Sequence, residues 1–469
     1  MPGPPPLLRL VPGGRRESPD AGPVPAGPAA TEGAGEPPPA SAEPRAALEL
    51  LAAGTGLVLI FVLMARLGPW TQSLGTFQCL YAIGFMFLAL ALARSGGRTI
   101  PRAGLIVFAV AVASRLALLP VVPTLSDDIY RYVWEGKVAA QGHDPWGSSP
   151  LDPALAHLRD RDIHPRINHP ELAAIYPPLA IAGFAVVAAL SPTVAAMKTW
   201  VVLHDIVLVL LLLAWSRRRR APPQAVIAYA WNPLVVVEYA GSGHHDPTAI
   251  VWLVAALFWA ERRPALSALS LAAGALTRLV PLLALPLLLP RWPWRARVLA
   301  MVPIALGLGW YWSRTRGGDS GLGAYWRAWT NNELAFTGIA NVVGDPALAR
   351  GIVAGLLALM VTVFALRRVA AGAAVRNTLR AGFLLSPVAH PWYLGWALAL
   401  EPLRPSAPWL LLSCTVFLSY GVVAPPAEGS AFHLPFTWRA IEYGVPFVLA
   451  VVLAVARARR SRRHVSDAG

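Results

Sequence analysis

The sequence predicts an all-α polytopic membrane protein, and three observations carry that prediction. Of 469 residues, 56% are apolar and only 14% charged. The apolar residues gather into runs near the roughly 17–25 residues that a helix needs to cross a bilayer. Finally, 40 Lys and Arg against 25 Asp and Glu give a formal charge of +15. These basic residues sit at the ends of the runs, as at Arg217–Arg220, Arg262–Arg263, Arg367–Arg368 and in the stretch 457–463. Charge placed there marks cytoplasmic anchors, so membrane lipids are expected partners and nucleic acid is not.

In chain order, residues 1–45 are rich in Pro, Gly, Ala and Glu without apolar periodicity, the composition of a disordered tail. A polytopic domain is expected over 46–458, followed by a basic cytoplasmic tail, 459–469. Its apolar runs fall near 46–66, 76–94, 103–121, 176–192, 196–216, 225–241, 247–260, 265–290, 296–312, 350–366, 378–400, 406–424 and 438–456. Allowing for broken runs, about 11–13 transmembrane helices are expected. The first run begins near Ala46, too far from Met1 for a cleavable signal peptide. Cys79 and Cys414 each lie inside an apolar run, which implies no disulfide framework.

Arg94, Arg98 and Arg102 place the turn after the second run in the cytoplasm, so the long loop 122–175 lies outside the cell. Its Trp134, Trp146 and tyrosines favour the membrane interface, and interfacial helices on the outer surface are expected there. One conflict arises next. If 176–192 and 196–216 both crossed, Arg217–Arg220 would land outside, against the charge rule. Pro177-Pro178 and Ser191-Pro192 mark the first of these runs as short or broken, so the arginines are kept cytoplasmic. The run 225–241 then leads outward to Gly243-His244-His245-Asp246-Pro247, and a second external loop spans 313–349.

Candidate functional residues cluster on this outer side. Ser126-Asp127-Asp128 opens a helical pattern in which Tyr130, Trp134 and Lys137 share a face with Asp127, while Arg131 and Glu135 stand close by. A helix cap needs one carboxylate, and two adjacent ones beside an apolar run need another reason. Asp246 before Pro247 is a helix start, and a helix start facing a cavity also offers donors to an anion. Arg278, between Thr277 and Pro281, interrupts the run 265–290 and suggests two half spans around a cavity. His390-Pro391-Trp392-Tyr393 interrupts the run that starts near Thr378. Asn331 and Asn332 follow Trp326 and Trp329, a sugar-stacking platform or a plain interfacial anchor.

Ser126-Asp127-Asp128-Ile129-Tyr130-Arg131-Tyr132, Gly142-His143-Asp144-Pro145-Trp146, Tyr176-Pro177-Pro178, His244-His245-Asp246 and His390-Pro391-Trp392-Tyr393 occur in an order that resembles one family. It is that of the polyprenyl-phosphate-mannose-dependent mannosyltransferases of the C-type membrane glycosyltransferase fold. The likeness covers about 100–400 and is nearest to bacterial α-mannosyltransferases that extend lipid-linked glycans. Family members often carry Asn at the positions of Asp144 and His245. The resemblance implies a lipid-linked donor entering from the bilayer and a catalytic Asp on the first external loop, here Asp127.

Taken with what the resemblance implies, chemistry from the residues agrees with inverting transfer of a mannosyl or related hexosyl unit from a polyprenyl-phosphate donor to a glycan or glycolipid acceptor, a lipid-linked glycan or polysaccharide, on the outer face. Asp127, with Asp128, is the expected catalytic pair, Asp127 acting as general base. Tyr130, Arg131, Glu135, His244, His245, Asp246, Arg278, Asn331, His390 and Tyr393 are the expected substrate-binding set, Arg278 and His390 on the phosphate. No cofactor or metal ligand set is named, and a divalent metal is left open. The alternative is a transporter or flippase of lipid-linked sugars, which would carry its ionisable residues near mid-membrane between repeats.

Overall fold

The computed structural model describes residues 43–316, 321–423 and 435–466. The expected N-terminal tail therefore lies almost wholly outside the described residues, as do 317–320 of the second loop and 467–469 of the basic tail. Regular structure in the described residues is helical, with a single bridge of extended chain, Asn331 with Val388. Among the described residues, five helical stretches are long and apolar enough to cross a membrane: Pro44–Ala65, Trp70–Ser95, Val194–Arg218, Pro346–Leu366 and Phe436–Arg459. The protein is an all-α polytopic membrane protein.

Helices α1 (Pro44–Ala65), α2 (Leu74–Ser95) and α3 (Ala103–Leu118) open the chain. On α1 the buried stripe Leu50, Ala53, Leu57, Phe61 and Met64 recurs every three or four residues, while Leu48, Leu51, Leu59 and Leu63 on the other side are exposed. A helix apolar on both its buried and exposed faces suits lipid, not water. Within the bundle, Arg115 of α3 pairs with Asp205 of α6 (Val194–Arg218) at 2.8 Å, both fully buried.

Two contacts orient α6. Near its start, Lys198 donates to the carbonyls of Leu118 and Val121 at the end of α3. Beyond its last turn, Gln224 donates to the carbonyls of Ser95 and Arg98 between α2 and α3. Arg217–Arg220 therefore share an end of the bundle with Arg98. The preceding helix α5 (Pro178–Leu190) has 13 residues, about 20 Å at 1.5 Å per residue, too short for a hydrocarbon core of about 30 Å. It packs instead along α4 (Asp128–Ala140), so closely at Gly136 that a Cβ there would come within 2.4 Å of the Phe184 carbonyl oxygen. The short-or-broken reading of 176–192 is how the chain avoids placing four arginines at the wrong end.

One expectation is corrected. The run 225–241 is no continuous helix but a chain of single turns, Pro223–Val226, Ile227–Ala230, Pro233–Val236 and Val237–Gly241, and every residue from Val226 to Ile250 is buried. Pro233 lacks a donor and Asn232 caps the turn after it through Leu234 N; such backbone is tolerated at membrane depth because protein surrounds it. Helix α4 is the helix expected in the first long loop, and it is buried in protein from Ile129 to Gly136. The rest of its loop folds over it: Arg131 donates to the carbonyls of Asn168, His169 and Leu172, and Lys137 to that of Leu158.

Helices α7 (Pro247–Trp259), α8 (Pro264–Thr277) and α9 (Trp294–Thr315) follow. The α8 break falls at Arg278, whose backbone is extended (φ −149°, ψ 149°). The second loop holds α10 (Gly321–Ala328) and α11 (Ala335–Val343), the latter ending on Gly344 at φ +73°, a left-handed position that suits glycine. Asp345 then caps α12 (Pro346–Leu366). Helix α13 (Ala371–Leu385) begins ahead of the expected 378 and breaks before His390, as expected. Helix α14 (Ala407–Thr415) and a 3-10 stretch to Val423 precede α15 (Phe436–Ser466), which runs through the expected tail boundary at 459.

Candidate active site

Both long loops and both helix breaks meet at one end of the bundle. Tyr311 near the end of α9 donates to the Ile175 carbonyl, His169 meets the Trp329 ring at 4.6 Å, and the bridge between Asn331 and Val388 joins the second loop to the α13 break. They enclose a cavity of ≈ 330 Å³.

Asp127 is the residue before α4, but its side chain makes no capping bond; the Ser126 hydroxyl accepts from Asp128 N at 3.3 Å instead. The Asp127 carboxylate is left free and faces the cavity. Asp128 accepts from Asn168 Nδ2 at 2.8 Å. Crowding by protein, then the charge of Asp128, pushes the Asp127 carboxyl above its ordinary pKa, with Arg166 opposing. Burial likewise raises Asp128, against the hydrogen bond from Asn168 and the charge of Arg278.

Across the cavity, Arg278 Nη2 donates to Asp246 Oδ2 at 3.1 Å, and Trp396 Nε1 holds the other Asp246 oxygen at 2.7 Å. Arg278 Nε is buried without a hydrogen-bond partner, and the guanidinium lies 5.9 and 5.8 Å from the rings of Tyr176 and Tyr393. Asn331 Nδ2 lies 2.7 Å from His390 Nδ1. An amide N–H only donates, so His390 Nδ1 accepts and the neutral ring carries its proton on Nε2. His390 stacks on Trp392 at 4.2 Å, and Tyr393 and Tyr325 share a hydrogen bond of 3.0 Å between hydroxyls.

Of the expected site residues, Asp127, Asp128, Arg131, Arg278, Asn331, His390 and Tyr393 line this cavity. The others stand behind it. Tyr130 is buried and its hydroxyl accepts from Arg166 Nη1 at 2.8 Å. Glu135 pairs with Arg131 at 2.9 Å, steadying the side chain that organises the loop. His245 is packed among Tyr132, Tyr176 and Phe184, Asp246 holds Arg278, and His244 lies against the far face of Trp392 at 3.6 Å. None of these five lines the cavity.

Sequence reasoning passed over Asn168, Tyr420 and Glu238. Asn168 sits in irregular chain and Tyr420 in an apolar run, where spacing carries no signal. Glu238 did carry one: a carboxylate inside the run 225–241. Among the described residues no group of three or more His, Cys, Asp or Glu is placed to hold a metal ion.

With this geometry in view, the comparison with known families is decisive. The family model of the MptA_B family, alpha-(1->6)-mannopyranosyltransferase N-terminal domain, matches residues 48–294, more than half of the chain. The chain belongs to this family. No curated protein and no solved structure matches it. The match runs from α1 to the first residue of α9, so this mannosyltransferase carries Asp127, Asp128, Asp246 and Arg278 inside the family region. Asn331, His390 and Tyr393 come from the chain beyond it. The protein is a membrane glycosyltransferase, and its cavity is assembled from both parts.

Proposed function

We propose that the protein moves a mannosyl unit from a polyprenyl-phosphate donor to a hydroxyl of a lipid-linked glycan or polysaccharide, at the outer face of the cell membrane, with Asp127 as general base. One observation carries this reading: a single cavity has an unpaired carboxylate on one side and, on the other, two groups suited to a phosphate, the Arg278 guanidinium and His390 Nε2–H. The acceptor oxygen bonds to the anomeric carbon while the bond from that carbon to the phosphate oxygen breaks. Its proton passes to Asp127, and the bonding electrons leave with the phosphate, whose growing charge Arg278 and His390 stabilise.

A single displacement inverts the anomeric carbon. An α-linked product, as the family's name states, then requires a β-linked donor. Retention through a covalent intermediate would need carboxylates about 5 Å apart across the sugar, whereas Asp127 and Asp128 are neighbours at one helix start. Support for the outer face comes from the basic residues gathered with Arg98 and Arg217–Arg220 at the other end of α6. Nothing in the site favours the transporter alternative, since the carboxylates lie beyond the end of α3 and not midway along it.

The test is mannosyl transfer from a polyprenyl-phosphate mannose by the purified protein. Asp127→Asn is expected to cut the rate by about 10²–10⁴ with unchanged thermal stability. A rate near that of the wild type would remove Asp127 as the base.

A further inference from the structure

Behind the cavity, beyond Trp392, lies a line of groups that the displacement above does not use. Glu238 is fully buried in the turn Val237–Gly241, and the Tyr420 hydroxyl lies 2.9 and 3.0 Å from its two carboxylate oxygens. His244, also buried, places Nε2 3.5 Å from Glu238 Oε2 and Nδ1 3.7 Å from Asp128 Oδ2. Its ring is held flat against Trp392, and its backbone N–H donates to the Glu238 carbonyl at 3.0 Å. The line thus starts at Asp128 on one cavity wall and ends at Tyr420 on another.

Counting protons decides what the line can do. Both ring nitrogens of His244 are buried with no hydrogen-bond partner, a state that costs free energy unless both gaps close. A neutral imidazole has one N–H and can serve one carboxylate, leaving the other to face a lone pair. An imidazolium serves both and brings the positive charge that a buried carboxylate needs. Among the described residues, the ion-pair partner of Glu238 is His244.

We propose that Glu238 is a positioning residue for the transfer: it holds His244 protonated, His244 holds Asp128 ionised, and the charge on Asp128 keeps Asp127 basic. The remaining charged and titratable groups facing this line are fixed in number. Arg166 faces Asp127; Arg131, Arg278 and His169 face Asp128; Arg278 and His390 face His244; Asp246 faces Glu238. None of them is altered by changing Glu238.

The inference rests on the reading of Asp127 as base, and the experiment separates the two. The pH dependence of kcat/KM is measured on the full-length protein with a polyprenyl-phosphate mannose, for the wild type, Glu238→Gln, Asp128→Asn and the double variant. Glu238→Gln is expected to move the acid limb down by about half a pH unit or more, because Asp128 takes up a proton and stops repelling charge on Asp127. Asp128→Asn moves the limb the same way, and the double variant moves it no further. A Glu238 that served packing alone would lower kcat and leave the limb in place, which would overturn the proposal, as would additive shifts in the double variant. Should Glu238→Gln fail to accumulate, Tyr420→Phe removes the hydroxyl that steadies the Glu238 carboxylate. It should then give a smaller shift of the same sign, and no shift would overturn the proposal equally. If instead Asp127→Asn keeps its activity and its acid limb, the base assignment is what fails.

Discussion

Two arginines sit inside apolar runs of this chain, each paired with a buried aspartate, and they do different things. Arg115 of α3 binds Asp205 through Nε and the carbonyls of Ala111 and Ala230 through Nη1, while the Tyr229 hydroxyl satisfies the other Asp205 oxygen at 2.7 Å. It is enclosed by protein on every side. Arg278 makes one protein hydrogen bond, to Asp246, and otherwise faces tyrosine rings and the cavity. A cation enclosed by protein and bonded to three protein acceptors is structural; one held by a single anchor at a cavity wall can still turn toward a ligand.

The same substitution at both positions sharpens that contrast most. Arg278→Lys keeps a positive charge beside Asp246 but loses the planar fork, and transfer is expected to fall about 10²-fold with the thermal midpoint nearly unchanged. Arg115→Lys cannot reach all three acceptors and should cost about 1–3 kcal/mol of stability, with near-normal kcat in the folded fraction. If Arg115→Lys loses kcat and Arg278→Lys loses stability, the assignment is reversed.

A smaller effect is expected on the acceptor side. Trp329 offers its ring to the cavity beside His169, and Trp329→Ala should raise KM for the acceptor about three- to tenfold with little change in kcat. A change confined to donor KM would move Trp329 to the other substrate.

The smallest effect concerns Glu135, which belongs with Arg115 as a structural ion-pair member. Burial pushes its carboxyl up to about 7, with Arg131 opposing. A carboxyl raised in the folded state favours folding while protonated, so its contribution is full below its ordinary pKa and is lost as pH rises through about 7. Thermal midpoints should therefore fall between pH 5 and 8, and Glu135→Gln should flatten that slope. An unchanged slope would place the titration elsewhere.

Helix breaks were legible where proline and a polar residue interrupt an apolar run, as at Arg278-Leu279-Val280-Pro281 and Ser386-Pro387, because each removes a donor that a continuing helix requires. The run 225–241 misled because apolarity over seventeen or so residues describes a lipid-facing span and a protein-buried one equally well. Among the cavity-lining residues, Asp127, Arg278 and His390 were legible because charge and imidazole are expensive near lipid. Tyr130, Glu135 and His245 share those motifs but point away from the cavity, and motif membership cannot tell the two sides of a helix apart once both are buried.

By itself, then, the sequence determined that this chain lives in a membrane, which ends of its helices carry the arginines, and which residue types are too costly to be there without cause. Those are local properties, set by composition within a few helical turns. Tertiary structure alone decided that Asp127, Arg278 and His390 line one cavity, that α5 packs along α4, and that Glu238 stands behind Asp128. Each of these depends on contacts between segments far apart in the chain, whose approach is fixed by packing and not by any run of neighbouring residues.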